Sequence, residues 1–187
     1  MAGARIELDH KEASVALARA GVVLADLKPL WRDFGEYLQI AHRQRFRDQV
    51  SPEGNQWQAL SPRYLARKRK NKDKILRLDG YLANTLRYEV GAQELLFGSD
   101  RKYAAIHQFG GEIKKAERTA TLFFRRRRDG SVGSRFVKKS RSDFAQDVAV
   151  GAHTTTMPAR PFLGVSAADG DELVQITLRH LERALAR

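Results

Sequence analysis

The apolar positions of the first fifty residues fall at steps of three and four. Ala13, Leu17, Ala20 and Leu24 form one such face, the pattern of a helix that buries a single stripe. Asp9 reads as its N-cap with Glu12 three residues on, as in a capping box, and Ile6 to Leu8 as a short strand before it. Gly21 weakens this helix. A second helix is written more fully. Pro29 suits a first turn, where its missing N–H is harmless, and Leu27, Leu30, Trp31, Phe34, Leu38 and Ala41 follow at helical spacing. The pattern predicts a helix to about Gln49, roughly 30 Å long at 1.5 Å per residue. Its far end, His42-Arg43-Gln44-Arg45-Phe46-Arg47, is strongly basic, and part of that charge suits the negative end of a helix dipole.

Turn-forming residues then break the helical pattern. Ser51-Pro52-Glu53-Gly54-Asn55 is a turn cluster, followed by Trp57 and Leu60. Ser61-Pro62 is an N-cap with proline at the first helical position, opening a short basic helix to about Lys70, and Asp79 reads as the cap of another over Tyr81 to Leu86. Arg87 to Val90 and Leu95 to Gly98 pair as a hairpin around Gly91-Ala92-Gln93. The end is helical again: Ser166 caps, Asp169, Asp171 and Glu172 suit the positive end of the dipole, and Leu173, Ile176, Leu181 and Leu185 face inward.

Between these parts, residues 112–152 follow a different pattern. Leu122-Phe123-Phe124 leads into Arg125, Arg126, Arg127 and Arg128, then Asp129-Gly130, then Arg135-Phe136-Val137-Lys138-Lys139. Asp-Gly between two β-prone runs is a hairpin signal. The stretch holds eleven Lys and Arg against five Asp and Glu, about half of the chain's excess positive charge. It is expected to be a basic arm or insertion within one domain spanning residues 1–187. The fold class that follows is α+β: an antiparallel sheet packed against long N-terminal helices and a C-terminal helix, with a basic β-hairpin arm.

Composition narrows the function. The chain has 187 residues, enough for one ordinary core. It has no cysteine, which excludes disulfides, thiolate metal sites and a cysteine nucleophile. No apolar run approaches the roughly 20 residues of a membrane span. The N-terminal stretch lacks a signal-peptide core, so a cytosolic chain without membrane contact is expected. A net charge of +12 favours an anionic partner: nucleic acid, a phospholipid surface or an acidic protein face.

Catalytic patterns are missing. His10, His42, His107, His153 and His180 are scattered outside metal-ligand spacings, and HExxH, GxSxG, P-loop and GxGxxG strings do not occur. Carboxylates are outnumbered, against a two-metal nuclease. No enzyme activity and no cofactor are expected. A hydrolase would need metal-dependent turnover through one Asp or Glu, and the sequence nominates none.

The residues that stand out each carry two readings. Arg125, Arg126, Arg127 and Arg128, with Lys138 and Lys139, suit phosphate contacts without base specificity, or docking on an acidic ring, with Phe124 and Phe136 anchoring the hairpin. They equally suit a solvated hairpin whose charge blunts edge pairing. Tyr103-Ala104-Ala105-Ile106-His107-Gln108-Phe109-Gly110-Gly111 is either an assembly surface or buried polar fixing point, with His107 and Gln108 hydrogen-bonding across a turn, or a core segment whose histidine satisfies a carbonyl. Trp57 reads as a core residue under a loop. Arg160, in the proline-braced string Met157-Pro158-Ala159-Arg160-Pro161-Phe162-Leu163-Gly164, can pair an acid in its own chain or in a neighbouring subunit.

Several strings, taken in order, resemble the phage virion morphogenesis family, the tail-completion-like proteins of Mu-like phages and prophages. They are Arg45-Phe46 before Ser51-Pro52-Glu53-Gly54, Trp57-Gln58-Ala59-Leu60-Ser61-Pro62, Lys74-Ile75-Leu76-Arg77-Leu78-Asp79-Gly80-Tyr81-Leu82, the Tyr103 to Gly111 string, and Arg160-Pro161-Phe162-Leu163-Gly164. The resemblance spans nearly the whole chain. It implies a non-enzymatic virion protein that completes heads or tails so that they join, a tail terminator or neck component. It also implies a homo-oligomeric ring, six-fold by preference, whose partners are connector or head-completion proteins and tail-tube proteins. DNA in the lumen is a further non-specific contact, and the expected location is the host cytoplasm and then the virion. The rival from composition is a basic nucleic-acid-binding module, against which stands the lack of helix-turn-helix, RRM or zinc-finger signatures.

Overall fold

The computed structural model describes residues 11–186. The expected strand from Ile6 to Leu8 and the Asp9 cap lie outside the described residues. The chain divides into two compact units, one running to Phe109 and resuming at Ala159, the other Gly110–Pro158.

In the first unit, α1 (Lys11–Ala25) and α2 (Lys28–Asp48) both pack against the C-terminal helix α6 (Ala167–Leu185). Leu30, Leu38, His42, Arg45 and Phe46 line the buried face of α2, the three- and four-residue steps of an amphipathic helix. Pro29 sits in its first turn and Gln49 ends it in a left-handed conformation, φ 61°. Gly35 leaves room for the Tyr88 ring, since a Cβ there would lie 2.5 Å from it. Tyr88 then donates to Glu36 Oε1 at 2.6 Å. These two features fix the hairpin of β1 (Arg87–Val90) and β2 (Leu95–Gly98), paired in the register Tyr88↔Phe97 and Val90↔Leu95, against α2. Short helices α3 (Pro62–Arg67), α4 (Tyr81–Asn84) and α5 (Ala104–Phe109) complete the unit. Its core gathers Phe46, Trp57, Leu82, Ala83, Leu86, Ala104 and Phe162.

The second unit is built of antiparallel ribbons. β3 (Gly111–Lys115) pairs with β6 (His153–Met157), and β4 (Arg118–Phe124) pairs with β5 (Phe144–Val150), from Arg118↔Val150 to Phe124↔Phe144. No residue of 110–158 is buried. Phe124 stacks on Phe136 at 5.3 Å and on Phe144 at 6.4 Å between ring centroids.

The α+β class, the antiparallel pairing, the flanking helices and the basic hairpin arm are as the sequence predicts, with the strands arranged as three two-stranded sheets. Three local readings need correction. The ladder partner of β4 is Phe144–Val150, paired along seven residues up to Phe124↔Phe144, while the Arg135 to Lys139 run meets β4 through the Val137 N–H on the Phe123 carbonyl. The Asp129-Gly130 turn closes a short hairpin around the Arg126↔Val132 bridge, with the Arg127 N–H on the Ser131 carbonyl and the Gly133 N–H on the Arg125 carbonyl. Asp79 does not cap α4: Gly80 precedes the helix at φ 87°, and the Asp79 carboxylate takes Lys70 instead. Leu185 is exposed, while Ile176 is the buried apolar residue of α6. The predicted box at Ser166 is present, with the Asp169 N–H on the Ser166 hydroxyl and the Ser166 N–H on the Asp169 carboxylate.

Candidate functional site

The strings singled out at 45–46, 57–60 and 160–164, with residues 103–109 of the 103–111 string, converge in the first unit. The strand-like piece Arg160 to Gly164 is stitched from three sides. The Trp57 indole N–H donates to the Pro161 carbonyl at 2.7 Å. The Gln108 side chain accepts from the N–H groups of Phe162 and Leu163, both at 2.9 Å, and donates back to the Leu163 carbonyl at 2.9 Å. Arg160 donates to the carbonyls of Gln58 at 2.8 Å and Ala59 at 3.2 Å, and its own N–H reaches the His107 carbonyl at 2.7 Å. Arg160 is thus matched by two carbonyls of its own chain, and makes no ion pair with an acid among the described residues. Under this stitching Phe162 is 0% exposed and packs on Phe46. Tyr103 meets His107 edge-on at 5.9 Å, and Gly110 beyond it has φ 70°. Phe109 is exposed.

Two side chains from the basic end of α2, Arg45 and His42, turn into this region. Arg45 forms a buried ion pair with Asp169 and donates to the Gly164 carbonyl at 2.6 Å. Tyr37 adds a hydrogen bond to the same carboxylate at 3.0 Å. His42, 1% exposed, lies 2.7 Å from the Leu38 carbonyl through Nδ1. A proton on Nδ1 makes that contact a donation and leaves Nε2 to accept from Arg45 at 3.3 Å and the Gly164 N–H at 3.4 Å. Burial, assisted by the Arg45 charge and opposed by the Leu38 carbonyl, lowers the His42 pKa to about 4. Burial, then the Arg160 charge, also lowers that of His107, whose Nδ1 has no hydrogen-bond partner among the described residues.

The arm residues behave oppositely. Arg125, Arg126, Arg127, Arg128, Lys138 and Lys139 are all exposed. None forms an ion pair among the described residues. The Arg126 guanidinium lies 5.5 Å from the centroid of the Phe144 ring, and its backbone N–H donates to Asp143. Asp129 is spent on its own turn, accepting from the Ser131 N–H and hydroxyl.

A third feature was only half legible in the sequence. α1 repeats a heptad, Ser14-Val15-Ala16-Leu17-Ala18 followed by Gly21-Val22-Val23-Leu24-Ala25. Its periodicity predicts a helix, and it is one. Yet Val15, Leu17, Val22 and Leu24 are 49, 73, 73 and 59% exposed, and no atom of the described residues lies within 4 Å of a Cβ placed at Gly21. Among the described residues no group of three His, Asp or Glu side chains is arranged to hold a metal ion, and no helix is long and apolar enough to cross a membrane.

The model of the phage virion morphogenesis family matches residues 8–182. A protein of Escherichia phage Mu named "Putative capsid assembly protein G" is 33% identical over 119 residues, which cover 62% of this chain and 76% of that protein. No solved structure matches the chain. The match takes in both units, with the Arg160 to Gly164 piece and the residues that stitch it in place, and the chain belongs to the phage virion morphogenesis family.

Proposed function

We propose that the chain is a structural, non-enzymatic subunit that assembles with copies of itself into a closed ring, six-fold by preference. It would act where head and tail join, as a neck or tail-terminator component. The observation that carries this reading is the bare apolar face of α1. A helix apolar on nearly all sides belongs in a core or an interface. Here the repeating Val and Leu flank a line of small residues at 14, 18, 21 and 25, the relief into which a neighbouring helix packs at heptad spacing. A contact of this kind, repeated by rotation, closes a ring and hides the apolar face on every subunit.

The two-stranded ribbons of 110–158 fit the same reading. Ribbons without a buried residue are marginal in water by themselves. The arm gains order when it lies on an adjacent subunit, a connector or head-completion protein, a tail-tube protein, or DNA in the lumen. The Mu relative is named for capsid assembly, which supports work at the head side of the junction. Assembly takes place in the host cytoplasm, and the product stays in the virion.

The test is a phage carrying Leu17→Glu with Leu24→Glu. Electron microscopy of its lysate is expected to show heads and tails made but unjoined. Infectious particles at normal yield would overturn the proposal.

A further inference from the structure

We infer that segment 62–79 of the first unit forms a site for DNA phosphodiesters, in addition to the arm. These residues hold eight Lys and Arg against two Asp, as large an excess as the arm carries in a stretch less than half as long. The local fold turns that charge into a cleft. Ser61 accepts the Tyr64 N–H to start α3, the helix stops at Lys68, and the chain doubles back through Asn71 at φ 49°. The Asn71 amide donates to the Leu78 carbonyl at 2.8 Å and Lys70 pairs with Asp79 at 2.9 Å, closing the return. The result is a concave site of about 380 Å³ lined by Tyr64, Arg67, Lys68, Arg69, Lys70 and Leu78, with Asp79 at its side.

The cations in this cleft are not balanced. Asp79 answers Lys70, whereas Arg67 and Arg69 are exposed and make no ion pair among the described residues. Lys68 is the telling member. It is 4% exposed, its ammonium donates to the Lys74 carbonyl, and no carboxylate of the described residues lies within ion-pair distance. An ammonium has three protons to place, and a buried one whose counter-charge, Asp73, stays beyond ion-pair distance is costly. An anion seated in the cleft supplies that charge, and Arg67 and Arg69 can grip it as forks.

The spread of charge favours a nucleic-acid backbone over an acidic protein. Arg63, Lys72 and Arg77, exposed in the same segment, add further cations, which suits a partner with charge at every step. Tyr64 and Leu78, both exposed, give a sugar or base an apolar wall. The inference rests on the proposed role only in naming DNA as the polyanion at hand.

The test uses the purified full chain and fluorescence anisotropy with a random-sequence duplex of roughly 30 base pairs, titrated from about 50 to about 200 mM salt. Arg67→Glu with Arg69→Glu is expected to weaken binding at least about tenfold and to flatten the log–log salt slope by about two. Lys68→Met, which removes the buried charge and keeps the stem, is expected to weaken binding with the melting midpoint unchanged or raised. Unchanged affinity in the double variant overturns the site. So does polyglutamate binding as tightly as duplex at equal charge, which would assign the cleft to an acidic protein. Masses measured on the same samples separate this from the ring reading. Unaltered DNA binding by an assembled double variant sinks the cleft alone, and a wild-type chain that binds DNA but never assembles sinks the ring alone.

Discussion

The chain uses arginine in two opposite ways. In the first unit Arg45 and Arg160 are buried, and their fan of donors is spent on a carboxylate and on backbone carbonyls more than a hundred residues away in the chain. In the second unit Arg125, Arg127 and Arg128 stand in solvent on a ribbon without a core. The same side chain is a structural staple where it is enclosed and matched, and an unspent charge where it is not. The contrast separates what holds the subunit together from what is left for partners.

The largest effect should come from emptying the enclosed side. Phe162→Ala removes a fully buried ring, and a loss of about 3–5 kcal/mol is expected in denaturant unfolding. A loss below about 1 kcal/mol would mean that the stitched segment does not organise the core.

A smaller effect, on the order of 3 kcal/mol at most, follows from His42. Its folded pKa, about 4, lies below the ordinary value of 6.5, so the unfolded chain binds the extra proton first. The stability it contributes is present above pH 6.5 and lost as pH falls toward 4. The depressed His107 adds in the same direction. His42→Gln should flatten this part of the stability–pH curve, and an unchanged slope would refute the assignment.

The smallest effect on stability is expected from the arm. Reversing Arg125, Arg126, Arg127 and Arg128 to Glu should leave unfolding within about 0.5 kcal/mol of wild type while blocking head–tail joining in lysates. A large destabilisation would mean that the arm is part of the fold, and normal joining would mean that its charge has no role in assembly.

The parts legible in the sequence were those governed by neighbours. Pro29 with the spacing after it gave α2, the Gly91 turn gave the β1–β2 hairpin, and Ser166 with Asp169 gave the capped start of α6. What escaped was set at long range. The basic end of α2 read as dipole compensation, yet His42 and Arg45 share a face with Leu38 and Phe46, and that spacing was the available sign that they are buried. The strand opposite β4 could not be chosen locally, because Phe136-Val137 and Phe144-Ala145 both suit a strand and only pairing along the whole ribbon separates them. In the 103–111 string Gln108 does hydrogen-bond, but to Phe162 and Leu163 far along the chain, while the buried Nδ1 of His107 goes unpaired among the described residues. The periodicity of α1 was plain, but a single chain's pattern does not say whether its own core or another subunit covers it.

That last point is the central claim, and the mass of the protein in solution tests it most directly. Sedimentation of the wild type, alone and mixed with connector and tail-tube proteins, is expected to show a ring-sized species. Leu17→Glu with Leu24→Glu should remain a monomer with an unchanged melting midpoint. A wild type that stays monomeric with every partner, or a double variant that assembles as wild type does, would contradict the account.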